Sequence, residues 1–276
     1  KSEPMKVDYI YNEATGDFEL VEITDLSEIL SINSMLSSSI NEIREGQTYV
    51  GIDFGTSTTV VSIASYNKTN KTITVEPMRL DQLLEDGTRY QNEKLPTVIA
   101  WYKNTFLVGE GASNLKYKLR KGEDIWYSFK MEIGEDLGAK YFNSKVKNIN
   151  GISIINPKYC VKVFFLYLKM LISRYCQNNN LSTNITYAVS IPASFEANQR
   201  KDLMEALETN GMTLTRQSLI DEPNAAFISY VHESQKSEKP LAINSNYNPK
   251  VLVFDFGGGT CDISILEIVQ SETGLY

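Results

Sequence analysis

Two stretches of this sequence have the residue types that a phosphate group and its counter-ion need. The first runs from Val50 to Ile63 (VGIDFGTSTTVVSI) and the second from Val253 to Leu266 (VFDFGGGTCDISIL). In each, an apolar run ends in Asp and Phe, a turn rich in Gly, Thr or Ser follows, and a second apolar run leaves. The same hairpin pattern used twice, far apart in the chain, predicts two similar half-domains that face each other.

The side chains at the two turns indicate which chemistry they serve. Glycine lets backbone N–H groups approach an anion, and hydroxyls donate hydrogen bonds to phosphate oxygens. Carboxylates so near would repel a bare phosphate, so they indicate a hydrated divalent cation, most simply Mg²⁺. Either turn alone is equally compatible with an ordinary hairpin, whereas the pair favours a phosphate site. The candidate phosphate ligands are Gly55, Thr56, Ser57, Thr58, Gly257, Gly258, Gly259 and Thr260. The candidate metal ligands, mostly through water, are Asp53, Asp255 and Asp262.

Composition limits the class of protein. A chain of 276 residues with 42% hydrophobic and 22% charged residues is ordinary for one large globular domain or two small ones. The net charge of -7 argues against a broad nucleic-acid surface and against anionic membranes. Cys160, Cys176 and Cys261 lack metal-ligand spacing, and the first two would lie roughly 24 Å apart on one helix, too far to bridge. We therefore expect a reduced, cytoplasmic protein.

The elements around the turns alternate between helix and strand. Pro157–Tyr175 has apolar residues at the spacing of one helical face, and Asn184–Pro192 reads as a strand. Glu196–Asn210 is a second predicted helix, and a third begins near Asn224 with Pro223 in its first turn. This order predicts an α/β fold in which helices flank a mixed sheet.

Further elements are predicted outside this central region. They are a hairpin of Val7–Tyr11 and Phe18–Ile23, a helix over Asp25–Ile43, a strand over Lys71–Leu80, a hairpin of Leu95–Tyr102 and Thr105–Val108, a partly helical region over Tyr117–Gly138, and a polar linker over His232–Lys250.

In their order along the chain, the motifs resemble those of the actin-like ATPase superfamily, whose lobes have a ribonuclease H-like fold. They are most similar to the DnaK-type (70-kDa heat-shock) chaperones, and the two turns resemble that family's phosphate loops. Ser128–Gly134 (SFKMEIG) resembles its lysine segment, with Lys130 in the lysine position. Val189–Phe195 (VSIPASF), followed by Asn-Gln-Arg200, and Ile220–Ala226 (IDEPNAA) resemble two further family segments.

The resemblance implies a nucleotide-binding domain that holds ATP or ADP with Mg²⁺ between two lobes, where slow hydrolysis switches the conformation of the intact protein. It implies catalytic roles for Lys130, Glu222, Asp255 and Thr260. Pro192 and Arg200 resemble the family's relay from the nucleotide to a substrate-binding domain. Plainer interpretations stay open: a solvated Lys130, a helix-capping Glu222, a strand-ending Pro192 and a surface-paired Arg200.

The resemblance also predicts the domain organisation. Residues 1–46 would be an N-terminal extension, residues 47–245 a first lobe with a smaller subdomain at about 81–155, and residues 246–276 the start of a truncated second lobe. We expect little turnover from such a fragment, because catalysis depends on positioning by both lobes. We expect the hairpin at 251–268 to be poorly ordered, to pack on a neighbour, or to be held by a second copy through self-association.

Departures from the family pattern leave a second function open. Met131 and Glu132 follow Lys130 where the family usually carries basic residues, and Ser194 replaces an aromatic residue. One alternative is a degenerate module that acts as a protein-interaction scaffold without turnover, and another is a filament-forming relative of actin. The expected partners are nucleotide and, through the intact protein, client polypeptides and co-chaperones, with no nucleic acid and no membrane.

Overall fold

The computed structural model describes residues 7–12, 17–22, 47–67, 72–135, 137–138, 142–212, 214, 218–234, 250–257, 261–268, 270–271 and 274–275. Contacts among Cα atoms divide the chain into two units. The larger unit comprises Arg44–Glu222 and Asp255–Asp262, and the smaller one comprises Lys1–Ile43, Pro223–Phe254 and Ile263–Tyr276.

Strands outnumber helices in the described residues. The strands are β1 (Val7–Asn12), β2 (Asp17–Glu22), β3 (Thr48–Phe54), β4 (Thr58–Asn67), β5 (Thr72–Pro77), β6 (Leu80–Leu83), β7 (Arg89–Asn92), β8 (Lys94–Pro96), β9 (Val98–Tyr102), β10 (Thr105–Val108), β11 (Ile125–Tyr127), β12 (Ile185–Ile191), β13 (Leu219–Asp221), β14 (Lys250–Phe256), β15 (Cys261–Glu267), β16 (Gln270–Ser271) and β17 (Gly274–Leu275). The helices are α1 (Glu110–Ser113), α2 (Phe129–Glu132), α3 (Pro157–Asn178), α4 (Ala197–Thr209) and α5 (Glu222–Ser234).

A mixed sheet forms the centre of the larger unit, as predicted. Its strand order is β13-β12-β3-β4-β5, and β8 also pairs with β4. Strands β3, β12 and β13 run parallel, whereas β4 is antiparallel to β3, β5 and β8. The predicted hairpin across the first glycine turn is therefore confirmed as β3 and β4.

Helices α3 and α4 contact each other in the larger unit. Helix α3 begins where Asn156 Oδ1 accepts a hydrogen bond from the Tyr159 N–H, with Pro157 in its first turn. The predicted apolar stripe of α3 is buried, and its Phe164 and Phe165 join Phe54 in one aromatic cluster, with ring centroids 5.0–5.9 Å apart. This cluster lies in the core directly behind the first glycine turn, because Phe54 ends β3.

A second, smaller antiparallel sheet has the order β10-β9-β11, which confirms the predicted hairpin of β9 and β10. Its own apolar cluster comprises Val98, Ala100, Leu107, Ala112, Leu115 and Ile125. One prediction needs correction here. The strand over Lys71–Leu80 is divided into β5 and β6, which belong to different sheets. The region over Tyr117–Gly138, predicted to be partly helical, contains helix α2 at Phe129–Glu132 beside strand β11.

The smaller unit contains the predicted hairpin of β1 and β2, with Val7 paired to Glu22 and Asn12 to Asp17. Strands β14 and β15 form a separate two-stranded sheet, in agreement with the second predicted hairpin. Alternate residues of that hairpin are exposed, including the large apolar side chains of Leu252, Phe254, Phe256, Ile263 and Ile265.

The predicted helix over Asp25–Ile43 and most of the predicted linker lie outside the described residues. No described helix has the length and apolar character that crossing a membrane would require.

Candidate functional site

The carboxyl ends of three parallel strands bring predicted site residues to one edge of the main sheet. Strand β3 ends just after Asp53, β12 ends just after Ser190, and β13 ends next to Glu222. The parallel register sets Ser190 opposite Asp53 and Ile191 opposite Asp221. In open α/β sheets, ligands bind outside the carboxyl ends of parallel strands, so this edge is the candidate site.

Asp53 is held in one orientation by its neighbour in the sheet. Its Oδ1 accepts a hydrogen bond from Ser190 Oγ at 2.9 Å. No described residue donates a hydrogen bond to the other carboxylate oxygen, which can therefore bind a cation or water at the sheet edge. Sequence reasoning missed Ser190, and the available signal was its place in the strand that runs into Pro192.

Lys130 and Glu222 form a buried ion pair beside this edge. The Lys130 Nζ and Glu222 Oε1 atoms are 2.6 Å apart, and the side chains are 3% and 15% exposed. The chain enters α2 through Ser128 in a left-handed conformation (φ 63°), and the Phe129 and Lys130 that follow are both buried. Lys130 is therefore not a solvated lysine, and Glu222 does more than begin helix α5.

Aromatic rings complete the surroundings of the Lys130 ammonium. Its Nζ atom lies 5.7 Å from the centroid of the Phe54 ring and 6.0 Å from that of Phe195. Both distances are at the range where a ring face attracts a cation. Phe54 stands between Asp53 and the first glycine turn, so this contact links the lysine to the turn itself.

The surroundings of Glu222 disfavour the charged form of its carboxyl group. Burial raises its pKa above the ordinary 4.5, and the Lys130 ammonium opposes that rise. The negative charges of Asp53 and Asp255 raise the pKa of Glu222 further. A carboxylate whose pKa is raised binds a proton, or an additional cation, more readily than an ordinary glutamate does.

The first predicted phosphate turn is a tight loop between β3 and β4. Gly55 donates its N–H to the Asp53 carbonyl at 3.2 Å, and a side chain at Gly55 would collide with the backbone carbonyl of Thr58. Glycine is therefore required by packing at this position. Thr56 and Thr58 are half-buried, and Ser57 is exposed.

The second predicted phosphate turn is described only in part. Asp255 is half-buried on β14, Gly257 is exposed after it, and Asp262 is half-buried on β15, whereas Gly258, Gly259 and Thr260 lie outside the described residues. Within the described ranges, no three acidic, histidine or cysteine side chains converge closely enough to bind a metal ion directly. Asp53, Asp255 and Asp262 thus do not form a direct metal cage.

The two predicted relay residues lie close to the same edge. Pro192 is buried immediately after β12. Arg200 on α4 pairs with Asp221 at 2.7 Å, each side chain being 34% exposed, and its Nε donates to the Phe195 carbonyl at 3.1 Å. The acid that Arg200 contacts belongs to β13, so the arginine ties helix α4 to the strand that precedes Glu222.

Comparison with known proteins gives a consistent match. The sequence model of the family described as Hsp70 protein matches residues 49–274. The chain is similar to a chaperone protein HscA homolog of Rickettsia peacockii (strain Rustic), with 29% identity over 232 residues that cover 82% of this chain and 33% of the relative.

Two further relatives match over nearly the same span. An HscA homolog of Rickettsia africae (strain ESF-5) is 30% identical over 232 residues, with 82% of this chain and 33% of the relative covered. The chaperone protein dnaK of Gracilaria tenuistipitata var. liui is 28% identical over 233 residues, with 79% and 32% covered. The chain spans about a third of the length of these curated relatives.

Proposed function

The chain belongs to the Hsp70 protein family, and from that premise we propose that it is the nucleotide-binding part of a chaperone ATPase. The intact protein would bind Mg·ATP and hydrolyse it slowly to switch between conformations. In this proposal the edge formed by Asp53, Ser190 and Glu222 faces the phosphates.

The buried pair of Lys130 and Glu222 is the observation that carries the proposal. Burying two charges is costly, and well-packed apolar residues of similar volume often stabilise a fold as well or better. A buried pair at the ligand-binding edge of a parallel sheet, with a raised pKa at its acid, is therefore better explained by function than by stability.

Each residue at the edge then has a chemical role. Lys130 would supply positive charge where negative charge shifts during phosphoryl transfer. Backbone N–H groups of the first turn would donate to phosphate oxygens, and Gly257–Thr260 would do the same in the second turn. Glu222 would accept hydrogen bonds from Lys130 and from a water near the phosphates.

The acids of the two hairpins suit a hydrated magnesium ion. Asp53, Asp255 and Asp262 are hard oxygen donors, and Mg²⁺ usually keeps several of its waters. Because these acids do not converge into a direct cage among the described residues, they would contact the water shell of the ion and orient it. The bound ion would neutralise phosphate charge.

Titration of Mg·ATP into the ¹⁵N-labelled chain, followed by NMR up to millimolar nucleotide, tests the proposal. We expect saturable shifts that depend on Mg²⁺, and an affinity reduced about tenfold or more in Lys130→Met, because a hydrogen bond to a charged partner is worth about 1.5–3 kcal/mol. The matched control is Lys121→Met, since Lys121 also pairs with a glutamate, Glu132, at 2.7 Å but is 42% exposed.

The control should bind nucleotide like the wild type. A folded wild-type chain that shows no saturable shifts would refute nucleotide binding, and equal affinities of the two lysine variants would remove Lys130 from the site. Circular dichroism of each variant checks that it is folded.

We also propose the kinds of partner and the cellular compartment of the intact protein. Client polypeptides and co-chaperones would act through the intact protein, as the names of the related chaperones suggest. The free cysteines Cys160, Cys176 and Cys261 favour a reducing compartment such as the cytoplasm. The exposed apolar residues of the β14–β15 hairpin favour self-association of this chain.

A further inference from the structure

Thr97 is bonded to two carbonyls of the first phosphate turn. Its backbone N–H donates to the Ser57 carbonyl at 2.9 Å, and its Oγ1 donates to the Gly55 carbonyl at 2.8 Å. Thr97 is fully buried and lies between β8 and β9, where the preceding Pro96 is paired with Thr58. Thr97, which lies outside every predicted motif, therefore contacts the backbone of the first phosphate turn.

The direction of the hydroxyl hydrogen bonds follows from proton counting. The Oγ1 atoms of Thr59 and Thr97 are 2.9 Å apart, and both residues are fully buried. A threonine hydroxyl has one proton, and a carbonyl oxygen can only accept. Because the Thr97 proton goes to Gly55, Thr59 must donate to Thr97, which gives a relay from Thr59 through Thr97 to Gly55.

This relay determines where an amide of the turn points. The peptide bonds of the described residues are trans, and in a trans peptide the C=O and the following N–H point in opposite directions. Since the Gly55 carbonyl points toward Thr97, the Thr56 N–H points away from it. The same reasoning applied to the Ser57 carbonyl directs the Thr58 N–H away from Thr97.

We propose that Thr97 is a positioning residue for phosphate binding, which rests on the proposed function. Its hydroxyl keeps the Gly55 carbonyl turned back, so that the Thr56 N–H is presented as a donor to a phosphate oxygen. A carbonyl that rotated outward would place a partial negative charge where the phosphate binds. Thr97 acts through the turn and does not itself contact nucleotide.

The test compares Thr97→Val with Thr97→Ser. Valine has nearly the shape of threonine without the hydroxyl, and it keeps the backbone N–H bond to Ser57; serine keeps the hydroxyl. We expect Thr97→Val to bind Mg·ADP and Mg·pyrophosphate about tenfold or more weakly, since one hydrogen bond to a charged acceptor is worth a factor of about ten to a hundred. Thr97→Ser should bind both like the wild type.

A second readout separates positioning from a merely structural effect. In the ligand-free protein, the NMR signals of the Gly55 carbonyl and Thr56 amide should shift in Thr97→Val and not in Thr97→Ser, while the Thr58 amide signal stays. Adenosine, which has no phosphate, should bind wild type and Thr97→Val equally. If Thr97→Val does not fold, Thr97→Ala removes the same hydroxyl and carries the comparison.

The outcomes distinguish nucleotide binding by the chain from the positioning role of Thr97. Wild-type protein that binds neither Mg·ADP nor Mg·pyrophosphate overturns the proposed function and the role of Thr97 with it. Wild-type binding that is unchanged in a folded Thr97→Val overturns the role of Thr97 alone. An equal loss of adenosine binding would assign Thr97 to general stability and would also overturn the positioning role.

Discussion

The stability of a Glu222→Gln variant, measured relative to the wild type, should rise with pH. The Glu222 side chain is 15% exposed, with Oε1 2.6 Å from Lys130 Nζ. Burial, together with the negative charges of Asp53 and Asp255, raises its pKa above 4.5 against the attraction of Lys130. Glutamine has the shape of the protonated acid and cannot ionise, so it avoids the cost of a buried carboxylate.

The direction in which stability changes with pH follows from the difference in proton binding between the folded and unfolded chain. An acid whose pKa is raised in the folded state binds its proton more tightly there than in the unfolded chain. As pH rises from about 4.5 through the raised pKa of Glu222, the unfolded chain releases this proton first, and the wild type loses stability. The loss is about 1.4 kcal/mol for each unit by which the pKa is raised. Glu222→Gln lacks this loss, so its relative stability should rise across that window and then level off.

Urea unfolding between pH 5 and pH 7.5, followed by the fluorescence of the buried Trp126, measures the difference. Asp221→Asn is the matched control, because Asp221 is the adjacent acid and pairs with Arg200, but both side chains are 34% exposed. A partly exposed pair of this kind contributes about 0–1 kcal/mol, so the control should change stability by no more than that. If the stability of Glu222→Gln relative to the wild type stays constant or falls between pH 5 and pH 7.5, the pKa of Glu222 is not raised in the folded protein and the prediction is refuted.

The remaining predictions concern the backbone and the second hairpin. Gly134→Ala should reduce the free energy of unfolding by more than about 1 kcal/mol, because Gly134 has φ +85° and a Cβ would lie 2.9 Å from Gln199 Cγ. Gly87→Ala is the control, because Gly87 has φ +90° but open space around it. It should reduce the free energy of unfolding by less in the same urea assay. Sedimentation velocity should show concentration-dependent self-association that Leu252→Lys with Ile265→Lys removes, and a monomer at every concentration would contradict it.

Helices and hairpins could be predicted where the burial of one face requires apolar residues at a regular spacing in the sequence. The apolar stripe of α3 and the apolar runs of β3 and β4 are local patterns, and all three elements lie where these patterns predict them. The strand over Lys71–Leu80 was predicted as continuous because its apolar residues run on. It ends at Pro77, which lacks the N–H needed to continue a ladder, and the chain then changes sheets.

The residues proposed to bind the ligand could be predicted from the sequence, but the residues that hold them in position could not. Lys130 and Glu222 were identified separately by motif, but their contact joins residues far apart in sequence and depends on the left-handed turn at Ser128. The Ser190 bond to Asp53 depends on the register of two parallel strands, which no local pattern encodes. Thr97 had no signal, because its hydroxyl contacts Gly55, which is 42 residues away in sequence.

The departure at Met131 and Glu132 does not deprive the site of positive charge. The Glu132 carboxylate pairs with Lys121 at 2.7 Å, and among the described residues the acid that pairs with Lys130 is Glu222. Burial and the nearby charges of Asp53 and Asp255 raise the pKa of Glu222 against the attraction of Lys130, so the surroundings disfavour the ionised acid of this pair. Lys130 can transfer its hydrogen bond from this acid to a more highly charged anion such as a triphosphate. The acid left behind would then take a proton or contact a hydrated cation, which its raised pKa already favours.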